Sequence, residues 1–297
     1  MPLVIPVQVV CTTLFYVNGY SQRDIAEFLE VPVTTVKNRL NASRSRLKER
    51  MLNMVEDTLH KNAPDERFDR RVIDELLARP RPLEIPDHPV RQVWEAIQRA
   101  LPGYEVISSD EIIDRAAQID CSGGVGYEIP GSDKVLRTST TGATILALKG
   151  RMPPVRLLTA GRVFRGTGRD QFEDATHLRV FHQADALCAD RGVDRAAMQS
   201  TLAHVVRTVL SIGDSDLKWT DESYPLWEQG MELCVHTRGQ WLNIAGCGLL
   251  TANELRKAGY DPDQVSCFGF GLGLERLAML RLGLDDIRKL WQPPYVP

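Results

Sequence analysis

Gly161-Arg162-Val163-Phe164-Arg165 and, far downstream, Phe268-Gly269-Phe270-Gly271-Leu272-Gly273-Leu274-Glu275-Arg276-Leu277-Ala278-Met279-Leu280 are the two runs on which the fold turns. The first ends an apolar strand on a guanidinium. A polar loop then leads to Asp174-Ala175-Thr176-His177 and back along Phe181-His182-Gln183. A strand, a loop and a returning strand aim Arg165 and His177 at a triphosphate, while Phe181 offers a ring face to a base. In the second run the glycines let backbone approach a ligand closely, and Arg276 falls in the first turn of the helix that follows. Singly, each signal is weak, because a lone Gly-x-Gly is more often a strand bend and an arginine more often a surface charge. Together they read as one nucleotide site assembled from two distant segments.

Working outward, strand-like runs cover Val155 to Val163, Leu178 to Leu187 and Trp241 to Ala245. Helical periodicity covers Val90 to Leu101, Arg195 to Leu210 and Gly273 to Leu282, and Cys121 to Gly126 reads as a Gly-rich loop. The order predicts a mixed sheet with helices on its faces. Before it, Arg79-Pro80-Arg81-Pro82-Leu83-Glu84-Ile85-Pro86 reads as a stiff linker, since prolines favour extended backbone and stop helices. That divides the chain into an N-terminal domain over 1–62, a helical and proline-rich linker over 63–86 and a larger domain over 87–297.

From about residue 84 onward the paired arginine runs resemble motifs two and three of class II aminoacyl-tRNA synthetases. The detail is similar to the phenylalanyl-tRNA synthetase alpha subunit, whose members carry comparable Gly-Arg-Val-Phe-Arg, Asp-Ala-Thr-His, Phe-His-Gln and Gly-x-Glu-Arg-Leu-Ala-Met-Leu runs. Leu136-Arg137-Thr138, Pro153-Pro154-Val155-Arg156, Trp241 to Gly248 and Asp285-Asp286-Ile287-Arg288 look like further family segments. The resemblance implies an α+β fold, an antiparallel sheet flanked by helices, behind an N-terminal all-α domain. It also implies ATP-dependent activation of an amino acid as its adenylate, with phenylalanine or a related amino acid as substrate, Mg2+ beside ATP, tRNA as an acceptor and a homodimer as the assembly.

Carried over by position, the resemblance gives Arg165 the α-phosphate and the amino-acid carboxylate, Arg276 the terminal phosphate and His177 the β- or γ-phosphate; these three form the catalytic set. Phe181 stacks on adenine, Gly273 lies against the nucleotide and Glu228 stands near nucleotide and magnesium, an oxygen donor suited to a hard cation. Thr141, Gln183, Tyr224, Leu226 and Gly246 line the amino-acid pocket. His182 and Glu275 divide evenly between structural and ligand-contacting readings and stay outside the catalytic set.

The sequence departs from the family pattern at several points. The Phe-Pro-Phe element that sandwiches a substrate ring is replaced by Tyr224-Pro225-Leu226, which changes the ring packing available. The family's His-Thr-Ser-Pro becomes Ser139-Thr140-Thr141-Gly142, and an acid after the motif-two arginine gives way to Gly166-Thr167-Gly168, with Glu173 a potential substitute. Asn243 stands where the family has a glutamate. These changes point to a substrate other than phenylalanine, or to a weakened catalyst.

The first part reads differently. Apolar spacing from Val7 to Lys61, broken at Asn18-Gly19 and Val31-Pro32, gives three helices, and Ser21-Gln22-Arg23-Asp24 has the form of a capping box. Between Lys37 and Arg50 the third helix carries Lys37, Arg39, Arg44, Arg46, Lys48 and Arg50 with Glu49 the only acid of that stretch, which suits phosphates. This stretch resembles region 4 of extracytoplasmic-function sigma factors, and the likeness implies that Thr34, Thr35, Lys37, Asn38, Arg39 and Arg44 face nucleic acid in a helix-turn-helix. A basic helix is alternatively a solvated face or an RNA-binding appendage. The competing overall reading is a DNA-binding regulator whose synthetase-like domain senses an amino acid or nucleotide.

Composition sets the outer bounds. The chain has 297 residues, a net charge of −3 and an ordinary apolar content, which favours two domains of a water-soluble protein. The net charge splits into about +2 over residues 1–62 and about −5 over the rest. Six scattered cysteines lack the close pairing that holds zinc or a redox disulfide, and no stretch reads as a signal peptide or membrane span. The expectation is a cytoplasmic protein with no membrane partner.

Overall fold

The computed structural model describes residues 7–61, 66–118, 126–166 and 173–292. They fall into two units, Met1–Asp65 and Glu66–Pro297.

The first unit contains α1 (Val7–Tyr16), α2 (Gln22–Phe28) and α3 (Val33–Lys61). α2 begins with the reciprocal cap its sequence announces. The Ser21 hydroxyl accepts from the Asp24 N–H at 3.3 Å, and the Asp24 carboxylate accepts from the Ser21 N–H at 3.0 Å. Two of the helix's orphan donors are thereby satisfied. Helical spacing then turns Ile25 and Ala26 of α2 and Val36 and Leu40 of α3 toward Cys11 of α1, giving a small buried core.

In the second unit α4 (Glu66–Ala78) places Ile73 and Leu76 against Leu136, Phe164 and Val180. The proline run that sequence reads as a linker lies inside this unit. Arg162 donates from Nη1 to the carbonyls of Leu77 and Arg79 at 3.1 and 2.9 Å, and Arg79 donates to Glu173 at 2.7 Å. Proline stops α4 but does not free the chain; the carbonyls it leaves unpaired are taken up by a buried guanidinium.

The main sheet has seven strands in the order β1-β4-β5-β9-β8-β7-β6. These are β1 (Glu105–Val106), β4 (Val155–Phe164), β5 (Val180–Asp190), β6 (Leu217–Asp221), β7 (Trp227–Thr237), β8 (Gln240–Leu250) and β9 (Ser266–Gly273). β1 runs parallel to β4 and the other neighbours pair antiparallel. A separate two-stranded pair joins β2 (Ile112–Asp114) to β3 (Lys134–Leu136).

Both faces are covered. On one, α5 (Pro89–Ala100), α7 (Arg195–Leu210) and α9 (Leu274–Arg281) bury Val93, Ile97, Leu202, Val206 and Leu277 against Leu233, Ala245 and Phe270. On the other, α6 (Thr141–Leu146) and α8 (Ala252–Ala258) close Ile145 and Leu255 over Leu157, Leu187 and Cys267. Each such aliphatic side chain stabilises the fold by roughly 1.5–3 kcal/mol relative to exposure. The helix starts follow their sequences: His88 caps α5 just before Pro89, Asp194 caps α7 and Thr251 caps α8. The result is the α+β, largely antiparallel arrangement expected of the sequence. Among the described residues no helix is long and apolar enough to cross a membrane.

Candidate active site

A cavity of about 210 Å³ opens over β5, β8 and β9, lined by Arg165, His177, Phe181, Gln183 and Arg276 among others. The two arginines therefore converge although they lie far apart in sequence. Arg165 follows β4 directly, and its N–H donates to the Arg179 carbonyl at 2.8 Å, holding the strand end against the returning chain. Its guanidinium lies 5.6 Å from the Phe181 ring centroid, a cation–π distance that positions charge and ring together. Arg276, in the first turn of α9, donates from Nε to the Thr176 carbonyl and from Nη1 to the Asn243 carbonyl, both at 3.0 Å. Those bonds fix the plane of the fork before any ligand arrives.

Gly161 belongs to the same construction. A Cβ there would collide with the Arg137 guanidinium, whose Nε donates to the Arg162 carbonyl at 2.8 Å. Burial pushes Arg137 down to about 10, against the opposing pull of Glu111 and Asp185. The glycine thus leaves room for a buried cation that braces the strand carrying Arg165.

His177 is held by its own loop. Its Nδ1 lies 3.0 Å from Asp174 Oδ1 and 2.9 Å from the Thr176 hydroxyl. Burial acts to raise the Asp174 carboxyl, but the Thr176 N–H, His177 and the Thr176 hydroxyl outweigh it and hold the group at about 2. His182 and Glu275 form a second, buried pair: the Glu275 carboxylate accepts from the His182 N–H at 2.8 and 3.0 Å and lies 2.7 Å from its Nδ1. Glu275 reaches the cavity lining and His182 does not.

The opposite end of the cavity is polar. Asp185 on β5 is buried, accepting hydrogen bonds from Thr141 at 2.6 Å, from Gln183 Nε2 at 2.8 Å and from the Thr140 hydroxyl. Burial raises its pKa against those three donors and the nearby Arg137. Gly271 pairs across the sheet with Asp185 and Gly246, and a Cβ at Gly271 would sit 2.6 Å from Gln183 Nε2. The Tyr224 hydroxyl and ring occupy the space a Cβ at Gly246 would need. Burial, with Glu232 and Glu222 nearby, moves the Tyr224 phenol well above its ordinary value, so it stays a neutral group.

Of the other residues named from sequence, Gly273, Thr141, Tyr224 and Gly246 line this cavity. Leu226 does not. The chain turns at Tyr224–Trp227, where the Trp227 N–H donates to the Tyr224 carbonyl at 3.2 Å, and Leu226 packs instead into the cluster of Ile145 and Leu255. Trp227 takes the cavity position. Glu228, one residue on along β7, is exposed and stands outside the lining, because successive strand residues face opposite sides. Among the described residues no group of three or more His, Cys, Asp or Glu could hold a metal, so the Mg2+ expected at Glu228 has no protein cage behind it. Glu173 is committed to Arg79 and to the Arg179 N–H, away from the cavity. Asp185 and Trp227 were missed by sequence reasoning. Asp185 was detectable, being two residues from Gln183 on one strand and hence on its face.

The residues expected to meet nucleic acid lie on α3 of the first unit. Thr34, Lys37 and Asn38 are exposed, Thr35 and Arg39 are partly covered, and Arg44 folds back so that Nε donates to the Tyr16 hydroxyl. Lys48 and Glu49 have side chains outside the described residues.

A family model described as the tRNA synthetases class II core domain (F) matches residues 30–295. The phenylalanine–tRNA ligase alpha subunit of Prochlorococcus marinus is 39% identical over 161 residues, covering 54% of this chain and 46% of that protein, slightly under half its length. The phenylalanine–tRNA ligase alpha subunit of Shigella dysenteriae is 29% identical over 271 residues, covering 86% of this chain and 77% of that one. Among solved structures, pyrrolysyl-tRNA synthetase from Desulfitobacterium hafniense superposes with a TM-score of 0.53 at 18% identity, covering 84% of this chain and 85% of that chain, a likeness of fold. With two arginines brought to one cavity on an antiparallel sheet and a core-domain match over most of its length, the chain belongs to the class II tRNA synthetase core-domain family.

Proposed function

We propose that the second unit activates an amino acid with ATP. The observation that carries this reading is the convergence of Arg165 and Arg276 on one cavity that also presents the Phe181 ring and His177. In the reaction a carboxylate oxygen attacks the α-phosphorus, the bond to the bridging oxygen breaks, and pyrophosphate leaves with those electrons. No enzyme nucleophile is required, so catalysis rests on positioning and preorganised positive charge. Arg165 would meet the α-phosphate and carboxylate, Arg276 and His177 the outer phosphates, and Phe181 the adenine. Asp185, Gln183 and Thr141 offer acceptors to the amino group at the polar end, where an incoming ammonium would compensate the buried carboxylate. The residues present fit ATP; Mg2+ would arrive with the phosphates.

We assign the first unit to nucleic-acid binding, as a helix-turn-helix with α3 against the phosphate backbone. The exposed Lys37 and Asn38 on α3, which follows the capped α2, support it. Transfer of the activated amino acid to tRNA is the extension the family suggests. The test of activation is amino-acid-dependent ATP–pyrophosphate exchange over a panel of amino acids: exchange with at least one is expected, and none in a protein that binds ATP would refute activation in favour of a sensor.

A further inference from the structure

Beside the polar end of the cavity the sheet offers a strip of bare backbone. On β8 and β9 Gly246 pairs with Gly271, and Gly248 with Gly269. All four present no side chain to the space above the sheet. Over the first pair stand Tyr224, Gln183 and Asp185. The side chain nearest both members of the second pair is that of Trp227. A Cβ at Gly248 would be 2.6 Å from the Trp227 Cβ and 3.1 Å from its Cγ; a Cβ at Gly269 would be 2.6 Å from Cη2 and 3.2 Å from Cζ3. The indole therefore spans both glycines from root to tip, and the glycines are what allow it to lie flat there.

We propose that Trp227 is the specificity-determining residue of the amino-acid pocket, filling its side-chain end so that the site takes a small amino acid, of the size of glycine, alanine or serine, and refuses phenylalanine. The inference rests on the assignment of this cavity to amino-acid binding. With the amino group at Asp185 and the carboxylate toward Arg165, a substrate side chain must run toward Trp227. A bicyclic ring already occupies the depth that a phenyl group would need. Close-packed side chains over glycine backbone yield little, and adding one ring to a filled space is not accommodated by small shifts. Only side chains that end short of the indole fit between it and Tyr224.

The test uses the full chain and separates this claim from activation itself. Calorimetric titration with glycine, alanine, serine, leucine and phenylalanine in the presence of a non-hydrolysable ATP analogue is run on the wild type, on Trp227→Ala and on the apolar-conserving Trp227→Leu. The expected result is binding of one or more of the three small amino acids by the wild type, no measurable binding of phenylalanine, and a gain of at least tenfold for phenylalanine or leucine in one of the variants that still binds the analogue. The proposal is overturned if the wild type binds phenylalanine, if it binds none of the panel, or if both folded variants refuse every larger side chain. Exchange assays on the same proteins distinguish the outcomes: binding of a small amino acid without exchange counts against activation and leaves the pocket assignment standing, whereas exchange with phenylalanine sinks the pocket assignment alone.

Discussion

At the scale of single residues, the site is built from charges held in place before a ligand binds. Asp174 shows how. Its carboxyl stays near 2 in the folded protein, against an ordinary value of 3.8, because Thr176 and His177 donate to it. A carboxyl depressed by folding adds stability that is complete above the unfolded value and is lost as pH falls through the folded one. Asp174→Asn is therefore expected to lower stability by a constant amount above about pH 4, with the gap to wild type closing toward about pH 2. Urea unfolding followed across that range measures it, and a gap that persists unchanged to the lowest pH would remove the proposed tether on His177. Gly161 is the second case. Gly161→Ala must displace the Arg137 guanidinium from its place beside Arg162, and leaving such a buried group without its acceptors costs roughly 1–3 kcal/mol or more. Thermal unfolding of that variant should fall well below wild type.

At the scale of elements, much of the fold can be read from periodicity and caps. The strand runs from Val155 and from Leu178 correspond to β4 and β5, and Arg195–Leu210 is the extent of α7. The Ser21–Asp24 cap forms with both of its hydrogen bonds, and Ser21→Ala should cost the first unit about 1 kcal/mol, read from its helical signal on denaturation. What local pattern does not disclose is direction. Tyr224-Pro225-Leu226-Trp227 holds three large side chains within four residues, and only the turn at Tyr224 decides that Trp227 rather than Leu226 enters the cavity. Glu228 then falls outside because it follows Trp227 on the strand and faces the other side. The proline run misleads in the opposite way: its composition says linker, while the acceptors it exposes are met by Arg162 from β4, a partner that sequence separation hides. The same holds for α4, where Ile73 and Leu76 have helical spacing but their partners Leu136, Phe164 and Val180 come from strands β3, β4 and β5 far along the chain. Leu76→Ala should destabilise the second unit by roughly 2–5 kcal/mol, whereas a true linker residue would tolerate the change. On α3, Lys37→Ala should weaken nucleic-acid binding evenly across sequences and lower the salt slope by about one, leaving ATP affinity as it was.

At the scale of the whole molecule, the two proposed chemistries are assigned to two units that divide between Asp65 and Glu66. A fragment of residues 66–297 should fold, bind ATP and lose the salt-sensitive nucleic-acid binding of the full chain, a separation that fluorescence anisotropy with labelled duplex and with tRNA would show. The larger unit's claim to be an activating enzyme rests on distant guanidinium groups brought to one nucleotide by the order of strands in the sheet. ATP titration of Arg165→Ala, Arg276→Ala and the double variant by calorimetry tests that most directly. Each charge-assisted contact contributes roughly 1.5–3 kcal/mol, so each single change should weaken ATP binding by on the order of 10- to 100-fold, and the double change should depart from additivity because both groups hold one ligand. Wild-type ATP affinity in Arg276→Ala would contradict the account at its centre.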